Sequence, residues 1–103
     1  MTTEEYEQIC NLTKNIDNLD PIQLKLYLAL GLNTESGEAG DLVKKGTCYP
    51  GYKLSREHLI DELGDTFYYL TNLATEFGFT LDQIMEHNAL KVKKILARKT
   101  VGE

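Results

Sequence analysis

The second of four helices that the sequence predicts is apolar around nearly its whole circumference. Residues 24–32 read LKLYLALGL, which leaves no broad polar face. A helix of this kind has to be buried on more than one side, whereas a lone domain of about 100 residues buries only about two-thirds of its unfolded surface. We therefore expect this helix to pack inside its own chain and also against a second copy of that chain.

Cap residues and helix breakers divide the chain into four helices, and no segment has the pattern of a strand. Asp20 followed by Pro21, then Ser55, and then a capping box of Thr80 with Gln83 mark helix starts. The predicted helices cover residues 4–16, 21–45, 56–77 and 81–99. Short connections between four helices predict an all-α fold, a four-helix bundle-like single domain that is oligomeric through its second helix.

Two apolar stripes are expected to complete the core of this bundle, because their residues recur at helical spacing. The stripe of the third helix consists of Leu63, Phe67, Leu70, Ala74 and Phe77. The stripe of the fourth helix consists of Ile84, Met85, Val92, Ile95 and Leu96.

Charge and cysteine content exclude several classes of protein. The 103 residues carry 16 Asp and Glu against 11 Lys and Arg, a net charge of −5, whereas proteins that bind duplex nucleic acid are usually basic. No apolar run approaches the roughly 20 residues of a membrane span, and the acidic N-terminus lacks the pattern of a secretory signal. Two widely separated cysteines are typical of a reduced protein. We expect one cytoplasmic domain over residues 1–103 that binds neither duplex nucleic acid nor membranes.

Two pairs of acidic residues carry the chemical content of the sequence. Glu35 and Glu38 lie three residues apart in the second predicted helix, and Glu62 and Asp65 lie three apart in the third. This spacing places both carboxylates of a pair on one side of their helix. Each pair borders the apolar residues of its helix, so we expect the four carboxylates to face one another. We expect such a group to be neutralised or to bind a metal ion.

The ligand type limits which cation this is. Carboxylate oxygens favour hard divalent cations, and the sequence contains neither the Glu-x-x-His motif of a di-iron bundle nor an EF-hand loop. Mg²⁺ bridges a few carboxylates to substrate phosphates, so we predict Mg²⁺, with Mn²⁺ as the alternative. For either pair by itself, the alternative interpretation is a solvated acidic face. Asp41, one turn after Glu38, is expected at most to hold a metal-binding residue in place without contacting the metal itself.

Three glycines lie within or next to the acidic pairs, namely Gly37, Gly40 and Gly64. Each is less favourable than alanine by about 1 kcal/mol inside a helix. We therefore expect a helix or a ligand to approach closely at these positions.

The acidic pairs and their surroundings resemble the MazG-like nucleotide pyrophosphohydrolases of the all-α NTP pyrophosphatase superfamily. That family carries an EExxE segment on one helix and an ExxD segment on the next, and residues 34–38, TESGE, and 62–65, ELGD, match them. A threonine stands in place of the first glutamate, which removes one possible ligand. The resemblance covers residues 22–99 and includes Asn88 and Lys91, which match the family's N-x-x-K element.

The resemblance implies Mg²⁺-dependent hydrolysis of (d)NTP to (d)NMP and pyrophosphate, as housecleaning of the nucleotide pool, by a homodimer or homotetramer. Glu35, Glu38, Glu62 and Asp65 would hold the metal. Glu38, or alternatively Glu35, would be the general base. The alternative function is a non-catalytic oligomeric helical module that binds a nucleotide or a protein partner. Base and sugar preference and the phosphorus attacked are left open.

The residues expected to bind substrate each have a structural interpretation as well. Asn88 lies within the apolar stripe of the fourth helix, where an amide can bind the nucleotide or fix helix packing. Lys91 can reach phosphate oxygens or lie on the surface near a helix end. Tyr49, Tyr52 and Lys53, in the loop between the second and third helices, either contact the base or phosphates or pack locally.

Overall fold

The computed structural model describes the backbone of residues 1–102 and the side chains of residues 1–99. Within that range it contains four α-helices and no strand, as the sequence predicts. The helices are α1 (Thr3–Asn11), α2 (Pro21–Cys48), α3 (Arg56–Glu76) and α4 (Leu81–Gly102). None of them is long and apolar enough to cross a membrane. Both cysteines are free thiols.

Hydrogen bonds of the predicted caps fix where α2 and α4 begin. The Asp20 carboxylate accepts from the Gln23 backbone N–H at 2.8 Å, and the Gln23 amide oxygen accepts from the Asp20 N–H at 3.5 Å. The capping box of Thr80 and Gln83 is present with corresponding distances of 3.1 and 2.9 Å. Gly78 follows the C-cap of α3 and has a φ of 82°, a conformation that L side chains rarely adopt.

The first helix is shorter than predicted, because it ends at Asn11 and residues 12–17 form turns. From Leu12 to Lys14 the backbone N–H groups donate to carbonyls three residues back, so α-helical bonding has stopped, and the turn that follows is held by Asn15. Its side-chain oxygen accepts from the Leu19 N–H at 2.7 Å, and its amide donates to the Leu19 carbonyl at 3.0 Å. A side chain that bonds to the backbone in this way competes with the helical pattern.

The second and third helices form an antiparallel pair. Lys25 lies 3.9 Å from Glu76 at one end of the pair, and Gly31 lies against the ring of Tyr69 further along. A Cβ at Gly31 would overlap that ring, so glycine is what lets the two helices approach here. The side chains of α2 that this packing buries are Leu24, Leu28, Ala39 and Leu42.

The first helix lies across α3. The rings of Tyr6 and Phe67 stack with centroids 5.0 Å apart. The fully buried Asn72 donates its amide to the Cys10 carbonyl at 3.1 Å. These contacts hold a helix of nine residues, which is too short to be stable by itself.

The fourth helix is fixed at its first turn. Leu81 is buried and its N–H donates to the Glu7 carboxylate at 2.9 Å, while the Asp82 carboxylate accepts from the Thr3 hydroxyl at 2.7 Å. All side chains from residue 82 to 99 are exposed. Among the described residues, α4 contacts α1 and α3 but does not reach α2.

The apolar stripes expected to form the core are largely open within one chain. On α3, Leu63, Phe67 and Phe77 are about half exposed. The side of α3 that faces α2 carries Tyr69 and Glu62 instead. The stripe of α4 is exposed along its length.

Candidate metal centre

The antiparallel pair brings three carboxylates together. Glu35 extends from α2, and Glu62 and Asp65 extend from α3. One oxygen atom of each lies within 4.8 Å of the others. Glu35 and Glu62 are partly buried and Asp65 is exposed. We call these three residues the acidic group. Three carboxylate oxygens at this separation form a possible site for a metal ion.

The fourth predicted ligand, Glu38, lies beside this group and is not part of it. Its carboxylate is close enough to hydrogen-bond to Glu35 and to act on it through its negative charge. The structure therefore brings three of the four predicted acids together and places the fourth, Glu38, next to Glu35 on α2.

Partial burial, the nearby Glu62 carboxylate and the charge of Glu38 together raise the pKa of Glu35 from its ordinary value of 4.5 to about 7. All three effects disfavour an additional negative charge. A protonated Glu35 therefore offsets part of the charge of the acidic group in the absence of a cation.

The carboxylate of Glu62 shows that the residues fit a cation. Its Oε1 lies 3.5 Å from Nε2 of His58, but its Oε2 is buried and has no hydrogen-bond partner. A buried polar atom without a partner is costly. Glu35 and Asp65 present oxygen atoms beside it, so a hard divalent cation would satisfy an atom that this chain leaves unsatisfied.

Tyr69, which the sequence places on the same flank of the third helix as Glu62 and Asp65, is a neighbour of this centre that was not predicted as a site residue. Its side chain lies near Glu35, and its hydroxyl is 3.4 Å from that of Tyr27. Hydrogen bonding to Tyr27 and burial raise the pKa of Tyr69, so its hydroxyl stays protonated. Two signals could have found it, namely its position one turn after Asp65 and the glycine at position 31 that makes room for its ring.

Asn88 and Lys91 are not brought to the acidic group within one chain. Both are exposed on α4, which does not reach α2. Asn88 lines an open cleft with Phe79 and Ile84, at the corner between α3 and α4.

Ion pairs lie at the end of α2, just before the loop that follows it. Asp41 lies 2.9 Å from Lys45 and 3.3 Å from Lys44, and these lysines, Lys45 first, lower the pKa of Asp41. Asp41 is thus engaged outside the acidic group. Tyr49 and Tyr52 are exposed and lie close enough to Lys45 to interact with it electrostatically.

No helix of the same chain approaches the three glycines at which a close approach was expected. A Cβ at Gly37, Gly40 or Gly64 would meet nothing within 4 Å. The close approaches occur instead at Gly31, against Tyr69, and at Gly46, where a Cβ would lie 2.8 Å from the Cβ of Leu54.

Comparisons with family models, with curated proteins and with solved structures find no match to this chain. The family resemblance therefore rests on the motif residues of the sequence alone. The structure adds that the chain is an all-α, four-helix protein with three carboxylates that could hold a metal ion.

Proposed function

We propose that this chain is a cytoplasmic, Mg²⁺-dependent nucleotide pyrophosphohydrolase that converts (d)NTP to (d)NMP and pyrophosphate and so clears the nucleotide pool. The observation that carries this proposal is the convergence of Glu35, Glu62 and Asp65, together with the unpartnered buried oxygen of Glu62. The motif resemblance supplies the reaction class. Mn²⁺ has the same ligand preference and is the alternative metal.

Glu35, Glu62 and Asp65 would hold the metal, with Glu38 at the edge of the site. When bound, a divalent cation supplies the positive charge that draws a triphosphate to an acidic surface, and it acidifies water. Without that charge, the acidic group would repel a triphosphate.

Glu38 would accept the proton of the attacking water, because it lies beside the acidic group but is not one of the three residues that would hold the metal. The water oxygen forms a new bond to the α- or the β-phosphorus and the P–O bond of the α–β bridge breaks. Pyrophosphate leaves with the electron pair if the α-phosphorus is attacked, and the nucleoside monophosphate does so if the β-phosphorus is attacked. Glu35 is the alternative base, since its pKa of about 7 lies near the working pH.

The outer face of α2 supports the oligomer that the sequence predicts. Ile22, Leu26 and Leu30 are more than half exposed there, and Gly37 and Gly40 open onto free space. Apolar side chains beside glycines allow another helix to approach closely. We propose that this face is the contact through which the chain forms a homodimer or homotetramer.

Release of pyrophosphate tests the enzyme directly. The full chain is incubated with the common NTPs and dNTPs in Mg²⁺, and at least one nucleotide is expected to yield the monophosphate and pyrophosphate. Glu38→Gln and Glu62→Gln should abolish release. Asp61→Asn is the matched control, because Asp61 is the acid next to Glu62 and lies outside the acidic group. Absence of release from every nucleotide would contradict the proposal.

A second candidate function is favoured by the large exposed apolar surface of the chain. It is a non-catalytic helical module that oligomerises and binds a nucleotide or a protein. Calorimetry with non-hydrolysable triphosphates separates the two. Binding without turnover of the natural nucleotide would support the module.

A further inference from the structure

We propose that His58 is a positioning residue of the candidate metal centre, which holds the Glu62 carboxylate at one oxygen atom and so leaves the other oxygen atom for a cation. The inference rests on the proposed function, because the cation is the one that the reaction would use. His58 contacts neither the substrate nor the cation. It acts through Glu62, whose carboxylate it contacts in the structure.

The first turn of α3 places His58 beside Glu62. Ser55 is the N-cap of this helix, and its hydroxyl oxygen accepts from the backbone N–H of His58 at 3.1 Å. Glu62 follows four residues after His58, and side chains at this spacing lie on the same face of a helix. Because helical side chains tilt towards the N-terminus, the Glu62 side chain extends back over the turn that carries His58.

The contact makes the two oxygen atoms of Glu62 unequal. Nε2 of His58 lies 3.5 Å from Oε1, whereas Oε2 is buried without a hydrogen-bond partner. The side chain of Glu62 is only 14% exposed, and that of His58 is 56% exposed. The imidazole therefore stands on the solvent side of the carboxylate. A carboxylate that is held at one oxygen atom turns less freely about its last bond, so the direction of the other oxygen atom is fixed as well.

No other cationic side chain takes this place in the described part of the chain. The lysines that form ion pairs there are bound to Glu76 and Asp41, outside the acidic group. The hydroxyl of Thr66, one turn beyond Glu62, donates to the Glu62 backbone carbonyl at 2.8 Å and not to the carboxylate. Orientation of the Glu62 carboxylate from the solvent side therefore depends on His58.

His58 lies outside the set of atoms that could hold the metal ion. The atoms that lie within 4.8 Å of one another belong to Glu35, Glu62 and Asp65. These ligands are all oxygen atoms, which suit Mg²⁺, whereas an imidazole ligand suits zinc, copper or nickel. A residue that contacts a ligand instead of the metal keeps the site all-oxygen. Loss of such a residue typically lowers metal affinity about 10–100-fold.

Mg²⁺ affinity tests the inference without any assay of activity. Thermal denaturation of the full chain over a range of MgCl₂ concentrations, after treatment with a chelator, yields a Kd. His58→Leu should raise this Kd about 10–100-fold. His87→Leu is the matched control, because His87 is the second of two histidines and is exposed on α4, outside the acidic group. Equal Kd values in both variants, or no stabilisation of the wild-type chain by Mg²⁺, would overturn the inference.

Rescue by a conservative variant separates positioning from charge and from folding. The side-chain amide of His58→Gln offers an N–H group near the place of Nε2 and carries no charge, so this variant should keep most of the Mg²⁺ affinity. Circular dichroism should show equal helix content in all variants, because His58 is exposed and substitutions at such positions change stability little. An affinity of His58→Gln as low as that of His58→Leu would overturn the positioning role.

A second metal tests whether the imidazole is itself a ligand. The same titrations are made with Co²⁺, which accepts nitrogen ligands more readily than Mg²⁺ does. If His58 acts through Glu62, His58→Leu should weaken both metals by a similar factor. A loss of affinity that is much larger for Co²⁺ than for Mg²⁺ would make His58 a ligand and overturn the inference.

Pyrophosphate release distinguishes the inference from the proposed function. His58→Leu should require more Mg²⁺ for half-maximal release and should approach the wild-type rate when Mg²⁺ is saturating. If the variants bind Mg²⁺ in the expected order but even the wild-type chain hydrolyses no nucleotide, the proposed function fails and the role of His58 stands. If the chain hydrolyses nucleotides and His58→Leu has the Mg²⁺ dependence of the wild type, the inference fails and the proposed function stands.

Discussion

Glu62 shows at the scale of one residue how the acidic group could hold a cation. His58 lies beside one of its oxygen atoms at 3.5 Å, and the other oxygen is buried without a partner. A solvated acidic face would leave both oxygen atoms to water. The environment of Glu62 therefore favours metal binding over the simpler interpretation of this acidic pair.

Mg²⁺ is expected to raise the melting temperature of the chain, because a ligand that binds only the folded state stabilises it. At a concentration of one hundred times Kd the gain is about 2.7 kcal/mol. Thermal denaturation with increasing MgCl₂, after treatment with a chelator, measures it. Glu62→Gln should lose most of the gain and Asp61→Asn should keep it. Equal gains in both variants would place the bound ion elsewhere.

The raised pKa of Glu35 predicts how stability depends on pH without metal. Its folded value of about 7 exceeds its ordinary value of 4.5, so between these values the folded chain binds more protons than the unfolded chain. The contribution of this residue is therefore present at low pH and is lost as pH rises towards 7. Urea unfolding in chelator at several pH values measures it. Glu35→Gln should flatten this part of the profile, and an unchanged profile would contradict the assigned pKa.

At the scale of the helix, the starts were predictable because they depend on neighbouring residues. The predicted cap at Asp20 and the predicted capping box at Thr80 both form. The end of α1 was not predictable from periodicity, because the backbone changes to bonds that span three residues from Leu12 onward. Spacing also indicated the acidic group, since three residues along a helix return to the same side.

Gly31→Ala is expected to destabilise the α2–α3 pair, because the added methyl group overlaps the ring of Tyr69. Overpacking of this kind costs about 1–3 kcal/mol. Gly64→Ala is the matched control in an open position, where alanine should stabilise the helix by about 1 kcal/mol. Urea denaturation of both variants measures the difference. Equal effects would show that Tyr69 moves aside without cost.

At the scale of the whole molecule, the position of α4 could not be derived from the sequence. Ile84, Val92 and Ile95 have the pattern of a core stripe, and the stripe was expected to face the other three helices of its own chain. In the structure Ile84 lines a cleft against α3, while Val92 and Ile95 are about half exposed. A periodic pattern states that a face is buried, but it does not state whether the same chain or another one covers it.

The raised pKa of Glu35 makes acidity a competitor of magnesium. Both the proton and the metal ion occupy the same oxygen atoms, so one must leave when the other arrives. A modest drop in the pH of the surroundings would thus unload the centre, and a rise would make it easier to fill. The availability of free divalent ions and the acid–base state of the medium would set its occupancy together.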